Sequence, residues 1–333
     1  MKSPFTGGEV KLLREKKQFE FRKENFEITQ LFYKCEDTGE EFTDDILDQI
    51  HLNQLYNQYR VRYGLPFPDQ IKEIREQYKL SASKISEILG LGANSYRQYE
   101  NGDIPTVANG RLILAAKDPE EFIKFLDASK SIISEKDYLK YTHISNTLIE
   151  EKKENFWNSL FSEHVFKDSK PSEFNGYKSP NETKVAMMIS YFSNSISQLF
   201  KTKLNKLLFY SDFLNYRYSG YSISGIAYRA IQMGPVPAEY DKLYIKLVDD
   251  KLVDLEYVKF KNGYGEALSG NIFDKGAFSD TEINSMNEVI RKFGSKTTNE
   301  MVNASHLEVG WIDNQDSRNI ISYSKYAFEI NQI

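Results

Sequence analysis

A chain of 333 residues exceeds one small domain, and its 40% hydrophobic and 14% aromatic content can fill two or three cores, which excludes a disordered chain. The net charge of −5 excludes a global pull on nucleic acid, so any DNA binding has to come from a local surface, strengthened by dimerisation. No apolar run approaches the roughly 20 residues that span a bilayer, the start MKSPFTGGEV lacks the apolar stretch of a signal peptide, and the single cysteine, Cys35, excludes an intrachain disulfide. Together these point to a cytoplasmic protein without membrane contact.

In residues 1–64, two short segments share a shape: Ser3-Pro4-Phe5-Thr6-Gly7 and Cys35-Glu36-Asp37-Thr38-Gly39. Each is laid out as a zinc knuckle, C-x-x-C-G, in which two thiolates grip a metal and the glycine permits a tight turn. Ser3, Thr6 and Thr38 stand at three of the four ligand positions. Hydroxyls are poor zinc ligands and one thiolate does not hold a structural zinc, so neither metal nor cofactor is expected. The plainer alternative is two unrelated Thr-Gly turns. Between the knuckles, Phe19, Phe21, Phe26, Ile28, Leu31 and Tyr33 alternate with charged residues as in a small strand meander. From Thr43-Asp44-Asp45 the spacing of Ile46, Leu47, Ile50, Leu55 and Tyr59 predicts a helix, ended by Gly64-Leu65-Pro66-Phe67-Pro68.

Residues 65–128 read as a helical bundle. Asp69 is placed to cap a helix bearing Ile71, Ile74 and Tyr78, and Ser81 to cap the next, with Ala82, Ile85 and Leu89 on its core face. Gly90-Leu91-Gly92 makes a turn with Leu91 in the angle. In the helix after it, Ala93 and Tyr96 face inward, while Asn94, Arg97, Gln98 and Asn101 share the opposite face, with Ser95 beside them. Asn and Gln pair bidentately with adenine and Arg with guanine, the chemistry of major-groove readout. Ser81, Ser83 and Lys84, at the start of the preceding helix, are candidates for phosphate contact. Helices over 107–117 and 120–126 close the bundle. Residues 65–126 carry eight basic and nine acidic side chains, so the electrostatic support is weak.

This stretch resembles the helix-turn-helix of MqsA-type antitoxins, whose pattern G-G-x-N-x-(aromatic)-x-x-Y-E-x-G is approached by Gly90, Gly92, Asn94, Tyr96, Tyr99, Glu100 and Gly102. The resemblance implies that Asn94 and Gln98 reach bases. It also implies a zinc ribbon ahead of the domain, which makes the knuckles of residues 1–64 a degenerate ribbon with no metal.

Residues 129–175 are polar. Ile132, Ile133, Tyr138, Leu148, Phe156, Trp157, Leu160 and Phe161 suggest two helices, followed by a linker over 167–178. His143 and His164 have no ligand spacing.

Residues 176–333 form a second module. Ser179-Pro180-Asn181-Glu182 has the form of a capping box opening a helix through Val185, Met188, Ile189 and Phe192. The next helix carries Leu204, Leu207, Leu208, Ser211 and Leu214 on one face, widened by Phe209, Tyr210 and Phe213, which predicts a central position. A strand through Ile226, Tyr228 and Ala230 is expected to stop at Gly234-Pro235-Val236-Pro237. Lys261-Asn262-Gly263, after the extended run 252–260, is a hairpin signal. Ser279-Asp280-Thr281-Glu282 and Thr297-Thr298-Asn299-Glu300 are capping boxes. No catalytic set stands out. Gly220-Tyr221-Ser222-Ile223-Ser224 lacks the last glycine of a nucleophile elbow, and adjacent Ser305-His306 diverge on a helix, so an enzyme is not expected.

The run Lys203 to Phe213, Ser222-Ile223-Ser224-Gly225, Tyr228-Arg229-Ala230, Met233 to Pro237, Ser305-His306 and Trp311 resembles the Panacea (SocA-like) antitoxin domain over most of 184–327. That resemblance implies a mixed helical and strand fold that neutralises a protein toxin by direct contact. Tyr228, Arg229, Gly234 and Pro235 are the contact candidates, against the alternative that Gly234 to Pro237 is a rigid turn.

The expected architecture is therefore multidomain α+β: a degenerate zinc-ribbon-like β domain with a trailing helix (1–64), a helix-turn-helix domain (65–128), a helical connection and linker (129–175) and an α+β Panacea-like domain (176–333). The expected function is the antitoxin of a type II toxin–antitoxin system, acting as a homodimer that binds a cognate toxin and represses its operon through operator DNA. The rival is a transcription regulator whose C-terminal domain senses a ligand or acts as a proteolytic adaptor.

Overall fold

The computed structural model describes residues 1–154, 160, 165, 166, 170–260 and 263–333. The chain divides into two compact units, one of Met1–Leu55 with Asp168–Ile333 and the other Tyr56–Lys167.

The first unit begins with a long antiparallel hairpin. Strand β1 (Val10–Phe21) pairs along its whole length with β2 (Glu24–Cys35), and the short β3 (Glu41–Phe42) adds to β2. Strand β2 buries Phe26, Ile28 and Phe32 on one face and Thr29 and Leu31 on the other. The knuckle segments are two like turns. Gly7 donates its N–H to Ser3 O at 2.8 Å and Gly39 donates to Cys35 O at 2.9 Å, with φ of +73° and +77°. Helix α1 (Asp45–Tyr63) follows, and Leu47 N–H is capped by Asp44 Oδ1 at 2.9 Å. Its residue Gln54 clamps the sheet by accepting from Thr29 N–H at 3.0 Å and donating to Thr29 O at 2.9 Å, and His51 Nε2 accepts from Leu31 N–H. Ile46, expected on the buried face, is 69% exposed, because the inward stripe runs through Leu47, Ile50 and Leu55.

Residues 168–333 supply the rest of this unit. Helix α8 (Glu182–Ser195) leads to α9 (Lys201–Ser219), which is buried from Lys203 to Tyr216 and forms the axis of the core, as its broad apolar surface predicts. The expected capping box at Ser179 is displaced: Asn181 is the N-cap and accepts from Lys184 N–H, so Pro180 precedes the helix. Strand β4 (Tyr228–Ile231) pairs antiparallel with β5 (Gly234–Pro237). The Gly-Pro-Val-Pro segment is thus a strand and not a stop. Its prolines face Tyr228 and Ala230, and Ala238 N–H reaches Ala227 O at 2.8 Å. Alternation along an antiparallel ladder then puts Pro235 and Pro237 at positions where no cross-strand N–H is required.

Helix α10 (Tyr240–Asp249) packs on α8 and on β6 (Val253–Phe260), which pairs with β7 (Gly263–Gly270) from Phe260↔Gly263 to Val253↔Gly270. The expected hairpin is present, although Lys261 and Asn262 lie outside the described residues. Helices α11 (Asp280–Phe293) and α12 (Thr298–Ser305) carry the two expected capping boxes at Ser279–Glu282 and Thr297–Glu300. Short helices α13 (Val309–Ile312) and α14 (Tyr323–Tyr326) complete the unit. The chain end returns to the first hairpin: Arg14 Nη1 donates to Phe328 O and Arg14 Nη2 pairs with Glu329 at 2.6 Å.

The second unit is helical. It contains α2 (Pro68–Gln77), α3 (Ala82–Ile88), α4 (Ser95–Glu100), α5 (Val107–Ala115), α6 (Pro119–Ala128) and α7 (Glu135–Glu154) around Ile71, Tyr78, Ile85, Tyr96, Ile113 and Phe122. Helix α2 starts at Pro68 with Phe67 as N-cap, so Asp69 sits in the first turn instead of capping it. The predicted residues Phe156, Trp157, Phe161 and His164 lie outside the described residues.

Candidate DNA-reading and partner-binding sites

The α3–α4 pair has the geometry of a helix-turn-helix. Ser81 caps α3 by accepting from Lys84 N–H at 3.2 Å. The chain then turns at Gly90, whose φ of +66° favours a residue without a side chain. Leu91 packs partly buried against the core. Tyr96 anchors α4: it is fully buried, its hydroxyl donates to Ile71 O at 2.7 Å, and its N–H donates to Ser86 Oγ. Burial holds this phenol well above its ordinary range. The far end of α4 is fixed by Arg75, which reaches Glu100 at 2.6 Å and Leu80 O at 2.9 Å. Behind it, buried Arg60 donates to Gly102 O at 2.6 Å.

This scaffold presents Asn94, Arg97, Gln98 and Asn101 on the exposed side of α4. Among the described residues none of these four side chains makes a hydrogen bond or ion pair, so the donors and acceptors that suit base edges are unoccupied. Ser95 is half-buried at the first position of the helix. Ala93, expected to face the core, is exposed, because α4 starts only at Ser95. Ser81 and Ser83 are exposed, with hydroxyls 3.1 Å apart. Lys84 is engaged by Glu87 at 2.7 Å and Asp137 at 3.4 Å, and the Glu87 contact raises its pKa, so it meets a phosphate only by exchanging those carboxylates.

In the first unit, Tyr228, Gly234 and Pro235 are buried, and Arg229 is half-buried with its guanidinium on Arg318 O at 2.8 Å. Tyr228, Gly234 and Pro235 thus pack into the core, and of the four contact candidates Arg229 alone reaches the surface. The centre of that core is Asp212, which accepts from Ile223 N–H (2.7 Å), Ser224 N–H (2.8 Å), Ser224 Oγ (2.5 Å) and Tyr228 Oη (2.7 Å). Burial pushes its carboxyl above the ordinary range while the four donors pull it down. Gly234, with φ of +89°, leaves room for Lys206: a Cβ there would lie 2.8 Å from Lys206 Cε. The Lys206 ammonium is fully buried without a hydrogen-bond partner among the described residues, and burial brings its pKa down to about 7. Ser222 donates to Asn175 O, Ser305 to Val302 O, and the His306 ring stacks on Trp311 at 3.9 Å. The hydroxyls of both expected near-motifs are thus used in packing.

At the knuckles, Thr6 Oγ1 lies 3.6 Å from Cys35 Sγ, while the Thr38 hydroxyl donates to Glu40 at 3.0 Å. Hydrogen bonds from Ser3, Thr38 and Thr6 lower the thiol pKa to about 6.

Comparison with known families agrees with this geometry. Residues 71–116 match the family model described as helix-turn-helix, and residues 204–312 match the model described as antitoxin SocA-like, Panacea domain. The chain carries both domains. No curated protein and no solved structure matches the chain. The helix-turn-helix match contains Asn94, Arg97 and Gln98, and the Panacea match contains Asp212, Tyr228 and Lys206. Among the described residues no helix is long and apolar enough to cross a membrane. The Asp212 and Lys206 positions were missed as structural determinants in the sequence. Both lie in the run Lys203 to Phe213 that carries the Panacea resemblance, as charged residues within the broad apolar surface of α9.

Proposed function

We propose that this chain is the antitoxin of a type II toxin–antitoxin system. Its Panacea domain binds and neutralises a cognate protein toxin in the cytoplasm, and its helix-turn-helix, paired in a homodimer, binds operator DNA and represses its own operon. The observation that carries the reading is the pairing, in one chain, of a SocA-like antitoxin domain with a helix-turn-helix domain. The free side chains of Asn94, Arg97 and Gln98 on α4 support the DNA-reading half. A net charge of −5 and the paired Lys84 make a single copy a weak binder, so two copies on two half-sites about one helical turn apart are required. The chain acts by binding alone, without cofactor or metal. The knuckle turns around Cys35 are read as a zinc ribbon of the MqsA type whose ligands have been replaced by hydroxyls.

The test is co-expression of the full chain with the product of the reading frame adjacent to its gene. That product is toxic alone, is rescued by the full chain, and co-purifies with it. An adjacent product without toxicity favours a plain transcription regulator. In gel-shift assays with the promoter of the same operon, Asn94→Ala with Gln98→Ala abolishes the shift while rescue persists; an unchanged shift removes these residues from the readout.

A further inference from the structure

Strand β1 is the edge of its sheet. The order β1-β2-β3 gives it a single neighbour, with which all 12 of its residues pair. Which main-chain groups face outward follows from α1. Gln54 takes both the N–H and the C=O of Thr29, and a residue in an antiparallel ladder turns both groups to the same side. The main-chain groups of Thr29 thus point away from β1, and those of Lys16, its register partner, point away from β2. By alternation Gln18 and Glu20 also turn their N–H and C=O outward. Among the described residues no backbone group meets these three from outside the ladder, and all three residues are exposed.

An exposed edge pairs with another chain unless its side chains oppose the pairing. Against a second copy of itself, the charges of β1 select the register. A two-fold axis through an antiparallel pair sets one residue opposite its own copy, and at Arg14, Glu15, Lys16, Lys17 or Glu20 that contact repels. At Gln18 two neutral amides meet, and Lys16 lies opposite Glu20 of the second copy on both sides of the axis. No like charges then face each other within the strand, because Lys17 falls opposite Phe19 and Glu15 opposite Phe21. Among the described residues the ion pairs of β1 are Arg14 with Glu329 and Lys17 with Glu15, which leaves Lys16 and Glu20 without one. An axis at Leu13 also opposes unlike charges, Lys11 and Glu15. There, however, Glu15 already has Lys17 at 3.8 Å, and the chain end sits on Arg14 through Phe328 and Glu329.

We propose that two copies of this chain join edge to edge along β1, antiparallel about Gln18, into one continuous sheet. Lys16 with Glu20 of the second copy, Gln18 with its own copy, and Glu20 with Lys16 of the second copy are the hydrogen-bonded pairs. Two cross-strand ion pairs flank the axis. The contact is short, so the dimer is weak and reversible. The inference rests on the functional reading for the need of a second copy, and gives that homodimer its interface.

The experiment is sedimentation equilibrium of the full chain, with circular dichroism to confirm folding. The unaltered chain dimerises. Lys16→Glu or Glu20→Lys alone weakens dimerisation about tenfold or more, and the two together restore it, because the pairs re-form with their signs exchanged. Lys11→Glu leaves it unchanged. Gln18→Pro removes an N–H that the β1–β2 ladder does not use and also weakens it; if that variant misfolds, the charge exchange alone decides. A chain that stays monomeric overturns the inference, as does a dimer that Lys16→Glu leaves intact or a folded double exchange that fails to recover. Toxin rescue and operator shift by the unaltered chain are read separately. Their absence overturns the functional reading, whereas their presence in a chain that does not pair through β1 overturns this interface alone.

Discussion

Tyr228 donates its hydroxyl to the Asp212 carboxylate at 2.7 Å, and the two residues tie strand β4 to the central helix α9. Both are fully buried. The Tyr323 ring stacks on Phe213 at 4.1 Å beside them and its hydroxyl donates to Ile226 O, so the chain's last segment leans on the same node.

Removing the acceptor strands four donors in a dry core. Asp212→Ala is therefore expected to lower stability by about 3 kcal/mol or more, and Tyr228→Phe, which removes one donor, by about 1 kcal/mol. Urea unfolding measures both. Equal small losses would mean that water reaches the node.

Lys206 gives a pH dependence with a definite sign. Its pKa falls from 10.5 to about 7 in the fold, so between those values the unfolded chain holds a proton that the folded one has released. Stability from this group therefore rises with pH across that window, by about 1.4 kcal/mol per unit for one proton, and is level below about pH 7. Lys206→Met is expected to be more stable at neutral pH and to flatten the rise. Denaturation midpoints for the two proteins between pH 7 and 9 that run parallel would contradict this.

At the knuckles, the thiol of Cys35 titrates near 6, followed by thiolate absorbance, and Thr6→Val moves it upward by removing a hydrogen bond. Because the fold lowers this acid, its contribution to stability is present above the unfolded thiol's pKa and is lost as pH falls through about 6. The triple substitution Ser3→Cys, Thr6→Cys, Thr38→Cys places thiolates at all four ligand positions of the two turns, and should bind one zinc by elemental analysis. A folded triple variant without zinc would show that the turns are mispositioned for a metal.

Arg75 is the side chain to test for α4. Arg75→Met breaks the ion pair with Glu100 and the bond to Leu80 O, both on partly buried groups. It should lower the thermal midpoint of the helical unit and weaken operator binding together. Gln98→Ala should weaken operator binding alone, by about 1 to 3 kcal/mol. A stable Arg75→Met protein with full affinity would remove the anchoring role.

Local signals were legible where one element determines itself. The capping serines and threonines at Ser81, Ser279 and Thr297, the turn at Gly90, buried Tyr96 and the broad apolar surface of α9 each followed from spacing and side-chain chemistry. The misreadings came where distant partners decide. Gly234 to Pro237 carries two strand-breaking prolines, yet pairing with β4 makes it a strand because the prolines occupy positions with no N–H to give. Tyr228 and Gly234 looked like contact residues until Asp212 and Lys206, on another element, accounted for them. The free edge of β1 was not legible at all. Its outward groups are fixed by Gln54 on α1, and only the fold brings that side chain to Thr29.

Arg14 grips Phe328 and Glu329, residues more than three hundred positions later. During synthesis the first hairpin meets its clamp on α1 early but leaves the ribosome long before this last contact exists, whereas the unit Tyr56–Lys167 has every one of its own residues by mid-chain. The order of maturation is set accordingly, with the helical unit closing early and the flanking unit last. Removal of the segment from Phe328 onward would take away this one anchor of β1, at the far end of the sequence from the cut.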